Sequence, residues 1–121
     1  MSESLANLQS MGKYEYSTTE TLTNKVWIDG KPIYKKTIDC GALPNATSKS
    51  VPHGITGIGE IIAIDGTAYD SEYTIKLPHT SQSNITYQVG ITVTNTNINL
   101  ASGGNLSGYT HSYVTLQYTK S

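Results

Sequence analysis

Three ring-bearing side chains near the end of the chain have the spacing of a sugar-binding surface. Tyr109, His111 and Tyr113 alternate along one segment, and Asn105 lies just before them in a glycine-rich stretch, residues 102–108. Sugars bind to flat rings because their C–H-rich faces stack there, while amide and hydroxyl groups satisfy their hydroxyls. We predict Tyr109, His111, Tyr113 and Asn105 as ligand-binding residues. Packing of the rings against a neighbouring strand or subunit is the alternative.

The carboxylates are the obvious candidates for catalysis. A glycosidase needs two carboxyl groups about 5 to 10 Å apart across the sugar. Asp29, Asp65 and Asp70 lie beside Gly or Ser, where Asp is common in turns because it hydrogen-bonds its own backbone; Asp39 and Glu60 fall in or near strands. We therefore predict no catalytic residue and no enzyme, with a polysaccharide depolymerase as the alternative.

Neither His nor Cys has the spacing of a metal or nucleophile motif. His53, His79 and His111 lie far apart in sequence, and we expect His53 to be a structural hydrogen-bonding group. Cys40 is the only cysteine, which excludes an intrachain disulfide and predicts a buried, inert thiol. No phosphate loop is present either, because no Lys-Ser or Lys-Thr follows the glycine pairs. The sequence predicts no metal and no cofactor.

Composition limits the class of protein and its partners. The 121 residues suffice for one domain, are rich in Ser, Thr and Asn, lack Phe and Arg, and include only 14% charged residues. Such a chain favours β-structure. The net charge of −1 argues against nucleic acid as a partner. With no long apolar run and no secretory signal pattern, we expect a product made in the cytoplasm that does not insert into a membrane.

Alternating apolar residues and turn signals predict an all-β fold from residue 25 onwards. The Asp29-Gly30 pair between two apolar runs is typical of a hairpin. After Asn95 the apolar positions shift by one, which indicates a bulge or a new strand. The predicted strands cover residues 26–28, 33–38, 47–51, 58–69, 73–77, 84–94 and 109–118. Together they predict an antiparallel β-sandwich of the jelly-roll kind.

Four of these strands carry further expectations. Residues 61–64, Ile-Ile-Ala-Ile, are apolar on both faces, which predicts a central strand or a subunit interface. We expect Trp27 in the core or an interface. Alternation predicts that Ile85, Tyr87, Val89, Ile91 and Val93 of one strand face the core. It also places Val114, Leu116 and Tyr118 of the last strand on one face.

Residues 1–24 lack the strand signals of the rest of the chain. Residues 4–11 have apolar side chains at helical spacing but are too few for a stable isolated helix, and residues 13–24 are polar and Thr-rich. We predict an N-terminal arm or connector over residues 1–24, with a possible short helix, and a β-sandwich domain over residues 25–121.

Several motifs resemble a segment found near the C-terminal end of tailed-bacteriophage and prophage fibre, tail or baseplate proteins of the receptor-binding type. Residues 27–34 read WIDGKPIY, residues 38–45 read IDCGALPN and residues 51–55 read VPHGI. Residues 113–120, YVTLQYTK, are similar to the usual final strand of those proteins. The resemblance covers nearly the whole chain after the N-terminal arm.

The resemblance implies a virion protein, made in the host cytoplasm, that forms a homotrimer and presents a tip domain to the host. Its N-terminal arm would bind other virion proteins, and its loops would contact a host surface glycan. The chain departs from the pattern in having a short arm where those proteins carry a long stalk. Two alternatives are a purely structural head- or baseplate-bound virion component and a standalone carbohydrate-binding module.

Overall fold

Two antiparallel sheets share one apolar core. The computed structural model describes residues 19–80 and 87–121. The strands are β1 Thr21–Val26, β2 Pro32–Asp39, β3 Ser48–Pro52, β4 Ile58–Tyr69, β5 Thr74–Leu77, β6 Val89–Val93, β7 Asn97–Ser102 and β8 His111–Lys120. One sheet has the order β1-β2-β8-β4-β5 and the other β3-β7-β6. The all-β antiparallel prediction is confirmed, but this division into five and three strands does not confirm the jelly-roll form.

The predicted first hairpin is present, but its strands β1 and β2 have different bounds from the predicted strands over residues 26–28 and 33–38. The Trp27 N–H donates to the Lys31 carbonyl at 2.9 Å, and Gly30 adopts the positive φ of 84° that favours glycine in such a turn. β1 already begins at Thr21, so residues 21–24 are part of the five-stranded sheet although we predicted them as connector. Trp27 is half-buried in the turn, outside the core cluster, and its Nε1 lies 3.2 Å from Glu60 Oε2. The predicted helix over residues 4–11 lies outside the described residues.

The core draws side chains from both sheets. Val114, Leu116 and Tyr118 of β8, which were predicted to share one face, are fully buried. Val89 is buried too, and Ile91 and Val93 pack against the same cluster. The Tyr87 side chain does not face inward as predicted, since it is 54% exposed. The reason is that β6 begins only at Val89, so the alternation of the strand does not apply to Tyr87. Ile85 lies outside the described residues.

The connection between β3 and β4 depends on His53, which is buried. The Ile55 N–H donates to His53 Nδ1 at 3.1 Å, and Nε2 donates to the Thr94 carbonyl at 2.9 Å. A neutral ring with its proton on Nε2 satisfies both bonds. The predicted structural role of His53 is confirmed, and the predicted strands on either side of this connection, β3 and β4, are present as well.

Strand β4 is long and has two different halves. Its second half, from Gly66 to Tyr69, pairs with both β8 and β5, whereas the first half pairs only with β8 among the described strands and carries register irregularities between Ile58 and Ala63. Ile64 is 39% exposed, so this run is not fully buried. Asp65 lies within β4, in agreement with the predicted strand over residues 58–69, and not in the turn that its place beside Gly66 suggested, because the chain continues extended through Gly66.

The predicted turn after β4 is present, and the single cysteine is buried as predicted. Asp70 accepts hydrogen bonds from the N–H groups of Glu72 and Tyr73, at 2.7 and 2.6 Å, and so forms the predicted turn. Cys40 is a buried free thiol, and burial raises its pKa to about 11. Within residues 19–80 and 87–121, no helical segment could traverse a lipid bilayer.

Candidate ligand-binding face

The side of the five-stranded sheet turned away from the core, here called the outer face, holds the candidate site. Val114 and Leu116 of β8 point into the core, so their alternate neighbours point outward. Antiparallel register puts cross-strand partners on one face, and the partners of Thr115 are Thr37 on β2 and Asp65 on β4. Three strands therefore contribute side chains to the same patch.

A groove with a volume of about 420 Å³ runs over this outer face. Its lining residues come from four strands: β2, β8, β4 and β5. Eight of its eleven lining residues have polar or charged side chains, and the full set is Lys35, Ala63, Asp65, Gly66, Thr67, Thr74, Ile75, Lys76, Tyr113, Thr115 and Gln117. Hydroxyl, amide, ammonium and carboxylate groups thus surround one concave surface.

A ring ladder of Tyr69, His111 and Tyr113 lies beside the groove. The Tyr69 and His111 ring centroids are 5.0 Å apart with planes inclined by 2°, and those of Tyr69 and Tyr113 are 6.3 Å apart at 24°. Tyr69 and His111 are cross-strand partners of β4 and β8. Because Tyr113 also lines the groove, the ladder and the groove form one continuous surface.

Lys76 and Asp65 form an ion pair in the groove. Lys76 on β5 donates to Asp65 on β4, and the Gly66 N–H donates to the same carboxylate at 3.2 Å. The ammonium of Lys76 holds the pKa of the Asp65 carboxyl below its usual range. Both side chains are largely exposed, so water and solutes reach both charges.

Gly66 allows β4 to lie close to its neighbours β8 and β5. A Cβ at this position would lie 2.8 Å from the Tyr113 carbonyl oxygen and 3.3 Å from the Leu77 side chain. Any other residue would push β4 away from β8 or β5. The position of the ring ladder therefore depends on this glycine.

Two of the four predicted ligand-binding residues meet on the outer face, and the other two, Tyr109 and Asn105, do not. His111 and Tyr113 both belong to the ring ladder. Tyr109 instead packs against the buried cluster. Its N–H donates to the Leu106 carbonyl, and its carbonyl accepts from Leu43 N–H, both at 3.0 Å. Tyr109 is held in the turn before β8, so the alternation of the strand does not extend to it.

Asn105 lies in the loop after β7 and has a local hydrogen-bonding role. Its Oδ1 accepts from the backbone N–H and the hydroxyl of Ser107, at 3.1 and 2.6 Å. It also forms an isolated β-bridge with Asn45. The loop itself is tied down by the Ser102 hydroxyl, which donates to the Pro44 carbonyl at 2.9 Å. Asn105 is thus an exposed loop residue, and the contacts that define it are within the loop and to residue 45.

The sequence does not identify Tyr69 or Lys76, and it presents Asp65 only as a turn residue or a candidate catalytic carboxylate. The alternation of residues 65, 67 and 69 with the small, inward-facing Gly66 and Ala68 is the signal that could have identified the outward face of β4. The Asp65-Gly66 pair obscures this signal because Asp-Gly is also typical of turns.

Three of the other carboxylates, Asp29, Asp39 and Asp70, accept hydrogen bonds from backbone N–H groups close to them in sequence. Asp29 accepts from the Lys31 N–H and Asp39 from the Gly41 N–H, both at 3.0 Å, and Asp70 caps its turn. In the described part of the chain, no three His, Cys, Asp or Glu side chains cluster as metal ligands would.

Comparison of the chain with protein-family models, with curated proteins and with solved structures finds no match. The structure defines an antiparallel all-β domain with a polar groove and a ring ladder on one sheet face.

Proposed function

We propose that this chain is a fibre or tail module of a virion and that its outer face contacts a glycan on the host surface. The observation that carries the proposal is the ring ladder of Tyr69, His111 and Tyr113 at the border of a polar groove. The virion assignment draws its support from the fibre-type motifs at residues 27–34, 38–45 and 51–55.

The chemistry of the outer face suits a saccharide. An aromatic ring offers a flat apolar surface to the C–H face of a pyranose, and hydroxyl, amide and charged groups beside it pair with the sugar hydroxyls. Tyr113 belongs to both the ladder and the groove, so one sugar ring at Tyr113 has polar partners within the same concavity. The groove volume of about 420 Å³ lies within the usual range for small-ligand sites, about 300 to 1,000 Å³.

In this proposal the module is a homotrimer, and the first hairpin is part of its contact surface. Leu22, Val26 and Ile28 are 57%, 67% and 90% exposed. Large apolar side chains grouped along an edge strand and its turn are typical of surfaces that associate with protein. The partly exposed run that includes Ile64 on β4 supports the same view.

The exposed hairpin also favours a second candidate, a purely structural head- or baseplate-bound component. In that case Ile28 and its neighbours would bind another virion protein, and the outer face would have no ligand. A standalone carbohydrate-binding module would differ from both in being a monomer. The proposal of a non-enzymatic role is supported by the local backbone bonds of Asp29, Asp39 and Asp70.

The experiment compares retention of the purified chain on immobilised polysaccharide from host cell surfaces with that of two variants. Tyr113→Ala removes the ring shared by ladder and groove, and we expect loss of retention with the fold intact. Tyr87→Ala, at an exposed tyrosine outside the ladder, serves as the matched control. Unchanged retention of Tyr113→Ala, or no retention of the parent, would contradict the glycan proposal.

Light scattering on the same samples tests association separately. We expect the mass of a trimer for the parent and a lower mass for Ile28→Asp, because a charge would then replace an exposed apolar side chain in the contact. A parent that is monomeric at micromolar concentration would contradict the homotrimer.

A further inference from the structure

The charges of the groove indicate which kind of sugar it accepts. We propose that the groove on the outer face binds an acidic saccharide, a sugar that carries a carboxylate, through the ammonium of Lys76 with support from Lys35. This inference rests on the proposed function, since it names the ligand class of the same face.

The lining carries more positive than negative charge. It contains two lysines, Lys35 on β2 and Lys76 on β5, and one carboxylate, Asp65 on β4, which gives a formal charge of 2 − 1 = +1. The chain as a whole has a net charge of −1. The groove therefore differs in sign from the rest of the molecule, and a concave surface of one sign attracts ligands of the opposite sign.

Lys76 is able to take a second carboxylate. Its side chain is 74% exposed, and an ammonium group has three donors, whereas Asp65 occupies one position on it. Asp65 also accepts from the Gly66 N–H, so its carboxylate is held on β4, and the exposure of the Lys76 side chain gives a ligand access to the ammonium. A ligand carboxylate would share Lys76 with Asp65 while its ring rests on Tyr113.

Asp65 separates this proposal from recognition of a neutral sugar. If a neutral sugar binds, Asp65 accepts its hydroxyls, and removal of the carboxylate weakens binding. If an acidic sugar binds, Asp65 repels it and competes for Lys76, so removal of the carboxylate strengthens binding. Asp65→Asn keeps the shape of the side chain, removes its charge and replaces one acceptor oxygen by an NH2 donor.

The test is a titration of the purified full chain, followed by the NMR shifts of backbone amides, with galacturonate trisaccharide and with neutral galactotriose. For the galacturonate probe we expect Asp65→Asn to raise the affinity about two- to fivefold and Lys76→Gln to lower it by a similar factor, the range of an exposed ion pair. Added salt should weaken binding of galacturonate more than binding of galactotriose.

Lys25→Gln is the matched control, because Lys25 is an exposed lysine on β1 outside the groove, and its affinity should equal that of the parent. Weaker galacturonate binding by Asp65→Asn would overturn the acidic-sugar proposal, and so would equal affinities of the parent for both probes. If galactotriose binds as tightly as galacturonate or more tightly, and Tyr113→Ala abolishes that binding, only this inference fails. If the parent binds neither probe nor host polysaccharide, the glycan function itself fails.

Discussion

The ring of Tyr69 on β4 stacks on the ring of His111 on β8, with their centroids 5.0 Å apart and their planes almost parallel. The two residues are direct cross-strand partners, and Tyr113 joins the same stack two residues further along β8. Alignment of the three rings depends on the register between β4 and β8. A shift of that register by one residue would turn one strand's rings into the core.

Replacement of Tyr69 by leucine should weaken glycan binding without unfolding the domain. Leucine keeps an apolar side chain on β4 but ends the stack with His111 and Tyr113, which costs about 0.5 to 1.5 kcal/mol of stability. Retention on polysaccharide and urea denaturation measure the two effects. Tyr73→Leu, at an exposed tyrosine outside the ladder, should change neither. Full retention of Tyr69→Leu would exclude the ladder from binding.

The direction of β6 is tested by Val89→Asp. Val89 is buried between the sheets, and an unpaired charge there should lower the free energy of unfolding by about 3 kcal/mol or more. Thr92→Asp, on the exposed side of the same strand, should cost less than about 0.5 kcal/mol. Equal melting temperatures of the two variants would show that the faces of β6 are assigned wrongly.

Much of this architecture could be predicted from the sequence because the signals were local. Alternation placed Val89, Ile91 and Val93 on the inner face and grouped Val114, Leu116 and Tyr118 on one face, while Asp-Gly marked the first hairpin. The division of the strands between two sheets could not be predicted, since it depends on contacts between residues distant in the chain. Tyr87 and Tyr109 show a second limit: a pattern does not reveal the residue at which a strand begins.

The candidate site was predicted only from the strand β8, which supplies His111 and Tyr113. Its other members come from β2, β4 and β5, and only the sheet order brings them beside β8. Tyr69 is 44 residues before Tyr113 (113 − 69), so no local spacing relates them. The Asp65-Gly66 pair added to the difficulty, because the same two residues are common in turns.

Loss of the His53 ring should destabilise the fold more than loss of an exposed imidazole. His53→Ala leaves the buried Ile55 N–H and the Thr94 carbonyl without their partner, at a cost of about 2 to 4 kcal/mol. His111→Ala is the comparison, and because His111 is exposed it should cost about 1 kcal/mol or less. Urea denaturation of both proteins measures the difference. A His53→Ala protein as stable as His111→Ala would contradict the structural role of His53.

The Cys40 thiol should make the protein less stable in alkali. Burial raises its pKa from the ordinary value of 9.0 to about 11, so above pH 9 the unfolded chain loses the thiol proton while the folded chain keeps it. The free energy of unfolding should therefore fall as the pH rises from about 9 to about 11. Cys40→Ala should show a smaller fall over the same range. Identical pH profiles for the two proteins would mean that Cys40 is not desolvated.

The most direct measurement for the proposed function is a map of the backbone amides whose NMR shifts change when a host-surface oligosaccharide is added to the purified chain. If the outer face is the contact surface, the changes should concentrate at residues 65–69, 74–76 and 111–117. These strand segments carry most of the groove lining and all of the ring ladder. Changes confined to the three-stranded sheet or to the loop at residues 102–108, with the outer face unaffected, would contradict it.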